Sequence, residues 1–133
     1  MLSFPLQIFA PVVSELRELE QEGVAGVAVY SGDNLELNEV GMFHRSFSSG
    51  HPCRHCLIHH SDISDCDGFL RHEPWEEDRY DAIAAAVENG EEVENFSLRG
   101  HCQFNELEAF HASRSFAPDL MHDFMEGKRY QFV

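Results

Sequence analysis

Cys53-Arg54-His55-Cys56 is the stretch around which this chain is organised. Two thiolates three residues apart can bind one metal ion from a single turn, which is the first half of a tetrahedral zinc site. Redox proteins also use Cys-x-x-Cys, but they place it at the start of a helix that follows a strand. Here the pair lies in a polar, histidine-rich loop. The pattern therefore favours zinc binding over redox chemistry.

Composition bounds the class of protein. The 133 residues, with 43% hydrophobic content and 11 Phe, predict one folded domain. The 24 acidic and 9 basic residues give a net charge of -15, which argues against this segment alone binding nucleic acid. We expect no membrane span and no signal peptide, and thus a nuclear or cytoplasmic protein. Four cysteines without a secretory signal favour metal binding or free thiols over disulfides.

The N-terminal third has two predicted elements. Apolar residues at helical spacing predict a helix over residues 5–22, with Pro11 kinking it or marking its true start. The β-rich apolar run 24–30 lacks alternation and predicts a strand buried on both faces. Asp33 follows the carboxyl end of that strand, where α/β sheets bind ligands and metals. Gly-Asp-Asn is also good turn chemistry, and the local pattern favours a turn.

Three more helices are predicted downstream, over residues 74–89, 105–111 and 118–126. In the last of them, acids and a histidine recur at i, i+3, i+4 and i+7, namely Asp119, His122, Asp123 and Glu126. A solvated acidic face is the simplest interpretation. The alternative is that His122 holds a structural metal while a carboxylate one turn away holds a catalytic Mg²⁺.

Spacing leaves the second pair of zinc ligands open. A local site would use residues soon after the two cysteines, and a long-range site would use histidines near the C-terminus. The candidate pairs are Cys66 with His72, His59 or His60 with Cys66, and His111 with His122.

Several segments in a fixed order resemble the eukaryotic cut-and-paste DNA transposases of the DDE type, in the broad CACTA/Mirage/Chapaev group, from about residue 7 to residue 127. The segments that carry the resemblance are Phe9-Ala10-Pro11, Leu19-Glu20-Gln21-Glu22-Gly23, Val29-Tyr30-Ser31-Gly32-Asp33-Asn34-Leu35, Gly41-Met42-Phe43, Phe47, Cys53-Arg54-His55-Cys56, Asn105-Glu106-Leu107, Phe110-His111 and Pro118-Asp119-Leu120-Met121-His122-Asp123-Phe124-Met125-Glu126-Gly127.

The resemblance implies an RNase H-like fold with three acids that bind Mg²⁺ and cleave and join DNA phosphodiesters. Asp33 matches the second acid, and Glu126 is the candidate third, with Asp119 or Asp123 as alternatives. The Cys53–Cys56 pair matches a zinc-binding insertion shared with the V(D)J recombinase catalytic subunit. That arrangement favours His111 and His122 as the other zinc ligands. The resemblance therefore implies DNA as a partner, although the net negative charge of the chain argues against it.

The chain also departs from the family. Glu36-Leu37-Asn38 stand where small residues and a His are usual, and the first acid of the triad would precede residue 1. We therefore expect an isolated chain that does not cleave DNA. The expected fold is α/β, or mainly α with a short sheet, in a single domain. It would comprise an incomplete RNase H-like core over residues 1–40 and a helical zinc-binding insertion over residues 41–133. An acidic zinc-binding module for a protein partner or for homo-oligomerisation is the alternative.

Overall fold

A computed structural model describes residues 4–45, 50–64, 73–93 and 97–118. These residues form a mixed, largely helical structure with a short parallel sheet of two strands. The elements in chain order are α1 (Phe4–Gln21), β1 (Tyr30–Gly32), α2 (Asn34–Val40), α3 (Glu77–Glu88) and β2 (Phe116–Pro118). Single 3-10 turns lie at His60–Asp62 and Gln103–Glu106. The coarse expectation of an α/β fold is compatible with this architecture, whereas the described segments display no RNase H-like core.

Helix α1 confirms the first predicted helix and continues through Pro11. Val13 is its buried anchor at 1% exposure. Gly23 follows the helix with a φ of 71°, and its N–H donates to the Glu20 carbonyl. A left-handed residue at this point closes the last turn, and glycine adopts that conformation without steric cost.

The predicted buried strand 24–30 is wrong over most of its length. Only Tyr30 belongs to β1, while Val24 and Val29 are 69% and 59% exposed. The apolar composition of this run is typical of a strand that has neighbouring strands on both sides. Within the described residues, β1 pairs with β2 alone, in the register Tyr30 with Phe116.

Helix α3 confirms the second predicted helix, with Glu77 and Asp78 in its first turn and Gly90 after its end. The helix predicted over 105–111 is wrong, because this segment forms only the 3-10 turn Gln103–Glu106. The Asn105 side chain accepts the Ala112 N–H at 2.7 Å. Such a side-chain bond to the backbone offers the chain an alternative to helix. Beyond β2, the helix predicted over 118–126 lies outside the described residues from Asp119 onward.

Tyr80 lies at the centre of the core. Its side chain is fully buried, and its hydroxyl donates to the Gly41 carbonyl at 2.7 Å and accepts the Cys102 N–H at 3.1 Å. Burial raises the pKa of Tyr80 far above its ordinary value. Gly41 packs so closely that a Cβ would lie 2.6 Å from the Phe116 ring. The hydroxyl thus joins the end of α2, α3 and the segment before β2.

Candidate metal centre

Cys53 and Cys56 lie next to one another, and each sulfur accepts a backbone hydrogen bond. The His55 N–H donates to Cys53 Sγ at 3.3 Å, and the Ile58 N–H donates to the Cys56 thiol. The donor stands two residues after the sulfur in both cases. Backbone donors directed at sulfur stabilise a thiolate and orient it toward a shared ligand. The fold of the loop itself therefore brings the two sulfurs and their N–H donors together.

Cys56 is buried at 8% exposure, and Cys53 is half-buried. Burial raises the pKa of the Cys56 thiol to about 11, the Ile58 N–H opposes this rise, and the adjacent Cys53 thiol adds to it. A depressed pKa is the mark of a redox-active cysteine, and Cys56 has the opposite shift.

Trp75 fixes the position of the loop. Its indole Nε1–H donates to the Cys53 carbonyl at 3.1 Å, and its backbone N–H donates to the His55 carbonyl at 3.3 Å. An antiparallel bridge pairs Cys56 with Pro74. Trp75 is 4% exposed. Because a rigid core residue holds two backbone groups of the loop, the thiol pair is tied to the segment that leads into α3.

Arg54 connects the same loop to α2. Its guanidinium is largely buried and donates to the Asn34 side-chain oxygen. Asn34 is the first residue of α2, directly after Asp33. The sequence pattern identified the two cysteines and gave no role to the residues between them. The one sequence feature that could have indicated this contact is the arginine itself, because arginine is seldom buried unless it is paired.

The neighbouring histidines form a second group beside the loop. The His59 ring lies 5.5 Å from the His51 ring and 4.3 Å from the His60 ring, measured between centroids. His59 Nδ1 accepts the Ser61 N–H at 3.3 Å and caps the following 3-10 turn. Within the described residues, neither His59 nor His60 is arranged with both sulfurs as a metal site, and one nitrogen of His59 accepts the Ser61 N–H.

His111 contacts a different set of residues. Its Nε2 lies 3.2 Å from an Asp81 carboxylate oxygen, and its Nδ1 lies 2.7 Å from Ser113 Oγ. Across the described part of the chain, no three His, Cys, Asp or Glu side chains are arranged as a metal site. The structure therefore does not bring His111 to Cys53 and Cys56. The other expected ligands, Cys66, His72 and His122, lie outside the described residues.

Asp33 acts as the N-cap of α2. Its carboxylate accepts the Glu36 N–H at 2.8 Å, which satisfies a donor of the first helical turn. Asp-x-x-Glu before an apolar residue is a sequence signature of such a helix start, and it was the missed signal for α2. Asp33 also lies at the rim of a groove of about 390 Å³ between α1 and α2. Glu126, Asp119 and Asp123, its expected partners, lie outside the described residues.

Asp81, which contacts His111, belongs to a chain of side-chain contacts with His101 and Glu88 that the sequence pattern did not connect. Asp81 lies 3.9 Å from His101 Nε2, and Glu88 lies 3.0 Å from His101 Nδ1. Burial raises the pKa of Glu88, but the backbone N–H and ring of His101 outweigh it, so that the pKa is lowered. This cluster ties α3 to the segment that precedes β2.

No protein-family model, curated protein or solved structure matches the chain. None of the helices in the described segments is long and apolar enough to cross a membrane.

Proposed function

We propose that this chain is a zinc-binding segment related to the catalytic domain of DDE-type transposases, in which the metal braces the fold. The observation that carries the proposal is the geometry of Cys53 and Cys56. Two adjacent sulfurs, each receiving a backbone N–H from the residue two positions on, form half of a tetrahedral site. Cys53 and Cys56 would hold Zn²⁺ together with two ligands from the sequence candidates. The metal supplies cross-linking energy and no chemistry.

The contacts of the loop support the bracing role. Trp75 links it to the segment before α3, and Arg54 links it to the start of α2. A metal bound by the two sulfurs would stabilise both links, because binding to the folded chain alone lowers its free energy relative to the unfolded chain.

Zinc content tests the proposal directly. The purified chain, dialysed against buffer with a weak chelator, is expected to retain stoichiometric zinc, and Cys53→Ser and Cys56→Ser are expected to lose it. His55→Ala is the matched control. The exposed His55 side chain lies between the two cysteines in the sequence, and the substitution keeps the backbone N–H that donates to Cys53 Sγ. Unchanged zinc in Cys53→Ser would show that the loop is not the site.

We further propose that the isolated chain does not cut DNA, although the related enzymes cleave and join phosphodiesters with Mg²⁺. The Asp33 carboxylate is engaged as a helix cap, and the charge of -15 opposes contact with phosphate. A nicking assay on supercoiled plasmid with Mg²⁺ is expected to show no cleavage above a protein-free control. Specific nicking that Asp33→Ser abolishes would contradict the proposal, because serine keeps the cap and removes the carboxylate.

A second candidate function is an acidic zinc-binding module that binds a protein partner and has no catalytic relation. The observation that favours it is the groove between α1 and α2, where Ile8 and Leu35 are 53% and 58% exposed. Relaxation measurements by NMR with Mn²⁺ separate the two candidates. Selective broadening of Asp33 and Glu126 together favours a shared transposase-type acid site. Broadening of neither residue favours the module.

A further inference from the structure

One side of α1 carries exposed apolar side chains along most of its length. Ile8, Val12 and Leu19 are 53%, 47% and 37% exposed, whereas Val13 is buried in the core. Ile8 and Val12 are four positions apart and Val12 and Leu19 are seven, so the three side chains lie on the same side of the helix. They form a row about 16 Å long, here called the α1 stripe, since each residue adds about 1.5 Å along the helix axis. A contiguous exposed apolar surface is typical of a binding site.

The α1 stripe leads into the groove of about 390 Å³ between α1 and α2. Ile8 and Phe9 line the groove from α1, and Leu35 and Val40 line it from α2. Ile8 and Leu35 are each more than half exposed, so the groove is open. Small-molecule sites bury about 70–90% of their ligand, which an open groove does not. The shape therefore favours a polypeptide, which can extend from the groove along α1.

Acidic side chains lie on this surface. Glu15 belongs to the same side of α1 as the stripe, three positions after Val12 and four before Leu19. Asp33 and Glu36 line the groove. The carboxylates of Glu15, Asp33 and Glu36 are exposed, and none of them forms an ion pair with another described residue. The apolar surface is thus accompanied by negative charge along its whole length.

Charge selects a basic partner. Arg45 also lines the groove, but the Glu39 carboxylate accepts its Nε–H at 2.6 Å and offsets its positive charge. A second copy of the chain would bring acids against acids, and the net charge of -15 opposes such pairing further. Lysine or arginine in a partner would instead meet opposite charge, which favours both the encounter and the correct register.

We propose that the α1 stripe and the groove bind an amphipathic helix of another polypeptide, with apolar residues on one face and lysine or arginine beside them. A helix fits this site because its rows of side chains can pack into the space between two helices. Amphipathic helices bind apolar grooves through anchors at i, i+3, i+4 and i+7. The inference rests on the partner-binding part of the second candidate function and uses neither Cys53 nor Cys56.

A synthetic 16-residue peptide of leucine, lysine and alanine, with leucine on one helical face and lysine on both sides of it, is the probe. The complete chain is expected to bind the labelled peptide, as measured by fluorescence anisotropy, and to bind it more weakly as the salt concentration rises. Ile8→Gln and Leu35→Gln are each expected to weaken binding about tenfold, because each removes an apolar contact of the groove.

Ile63→Gln is the matched control, since Ile63 is 50% exposed, much as Ile8 is, and does not line the groove. It is expected to bind the peptide as the parent chain does. Equal losses in Ile8→Gln and Ile63→Gln would contradict binding in the groove. Circular dichroism of the variants, expected to match the parent chain, separates lost binding from lost folding.

A second peptide, with glutamate in place of lysine, tests the charge. Equal binding of the two peptides would contradict the basic partner and leave the second candidate function standing. Binding of neither peptide would contradict the groove as a partner site altogether, while zinc content is measured independently. Self-association of the chain, detected by sedimentation and abolished by Ile8→Gln, would overturn the proposal in favour of a second copy.

Discussion

At the scale of single residues, buried or paired polar side chains hold neighbouring elements together. The Glu39 carboxylate accepts Arg45 Nε at 2.6 Å and Arg99 Nη2 at 2.9 Å. Arg99 also donates to the Phe43 carbonyl at 3.2 Å. The end of α2 is therefore held to the segment around residue 99 by charge-assisted bonds, which are stronger than neutral ones.

The pH dependence of stability follows from Glu39. The hydrogen bond from Arg45 holds the pKa of Glu39 below its ordinary value of 4.5, burial opposes this, and the charge of Arg99 adds to it. A lowered pKa in the folded state contributes stability above pH 4.5 that is lost as the pH falls through the folded value. Glu39→Gln is expected to lower the free energy of unfolding by about 1 kcal/mol at neutral pH. Near pH 3 the difference is expected to shrink.

Urea unfolding at the two pH values measures this prediction. Glu15→Gln is the control, because Glu15 is exposed on α1 and forms no ion pair with any described residue. A difference between the parent chain and Glu39→Gln that is as large near pH 3 as at neutral pH would show that packing, not charge, is responsible.

At the scale of elements, α2 depends on its cap. The helix has only seven residues, so it is too short to be stable by itself, and Asp33 satisfies one of its free N–H groups. Asp33→Ala is expected to lower the free energy of unfolding by about 1 kcal/mol, whereas Asp33→Ser is expected to cost much less. Chemical denaturation of the two variants compares them. Equal losses would show that the carboxylate acts through its charge and not as a cap.

The elements also show what sequence periodicity can and cannot predict. Helices α1 and α3 were predictable because their apolar residues recur over several turns and glycine follows each end. The conformation of the 24–30 run was not predictable, because an apolar strand pattern indicates burial but does not indicate which neighbouring strands cover it. The 105–111 segment failed for a local reason, the bond from Ala112 to the Asn105 side chain.

At the scale of the whole molecule, the candidate metal site was half predictable. The spacing of Cys53 and Cys56 identified the sulfur pair, and the structure adds the N–H donors and the Trp75 contact. The choice of His111 could not be tested by spacing, since its environment depends on Asp81, a residue 30 positions away along the chain. Contacts of that range follow from packing and not from a local pattern.

X-ray absorption at the zinc edge identifies the atoms that bind the proposed zinc ion. For the zinc-loaded chain, we expect sulfur scatterers at about 2.3 Å from the metal, with nitrogen or oxygen at about 2.0–2.1 Å completing the shell. In Cys53→Ser reloaded with zinc, the sulfur contribution is expected to fall. A zinc shell composed of nitrogen and oxygen alone in the parent chain would show that Cys53 and Cys56 do not bind the metal.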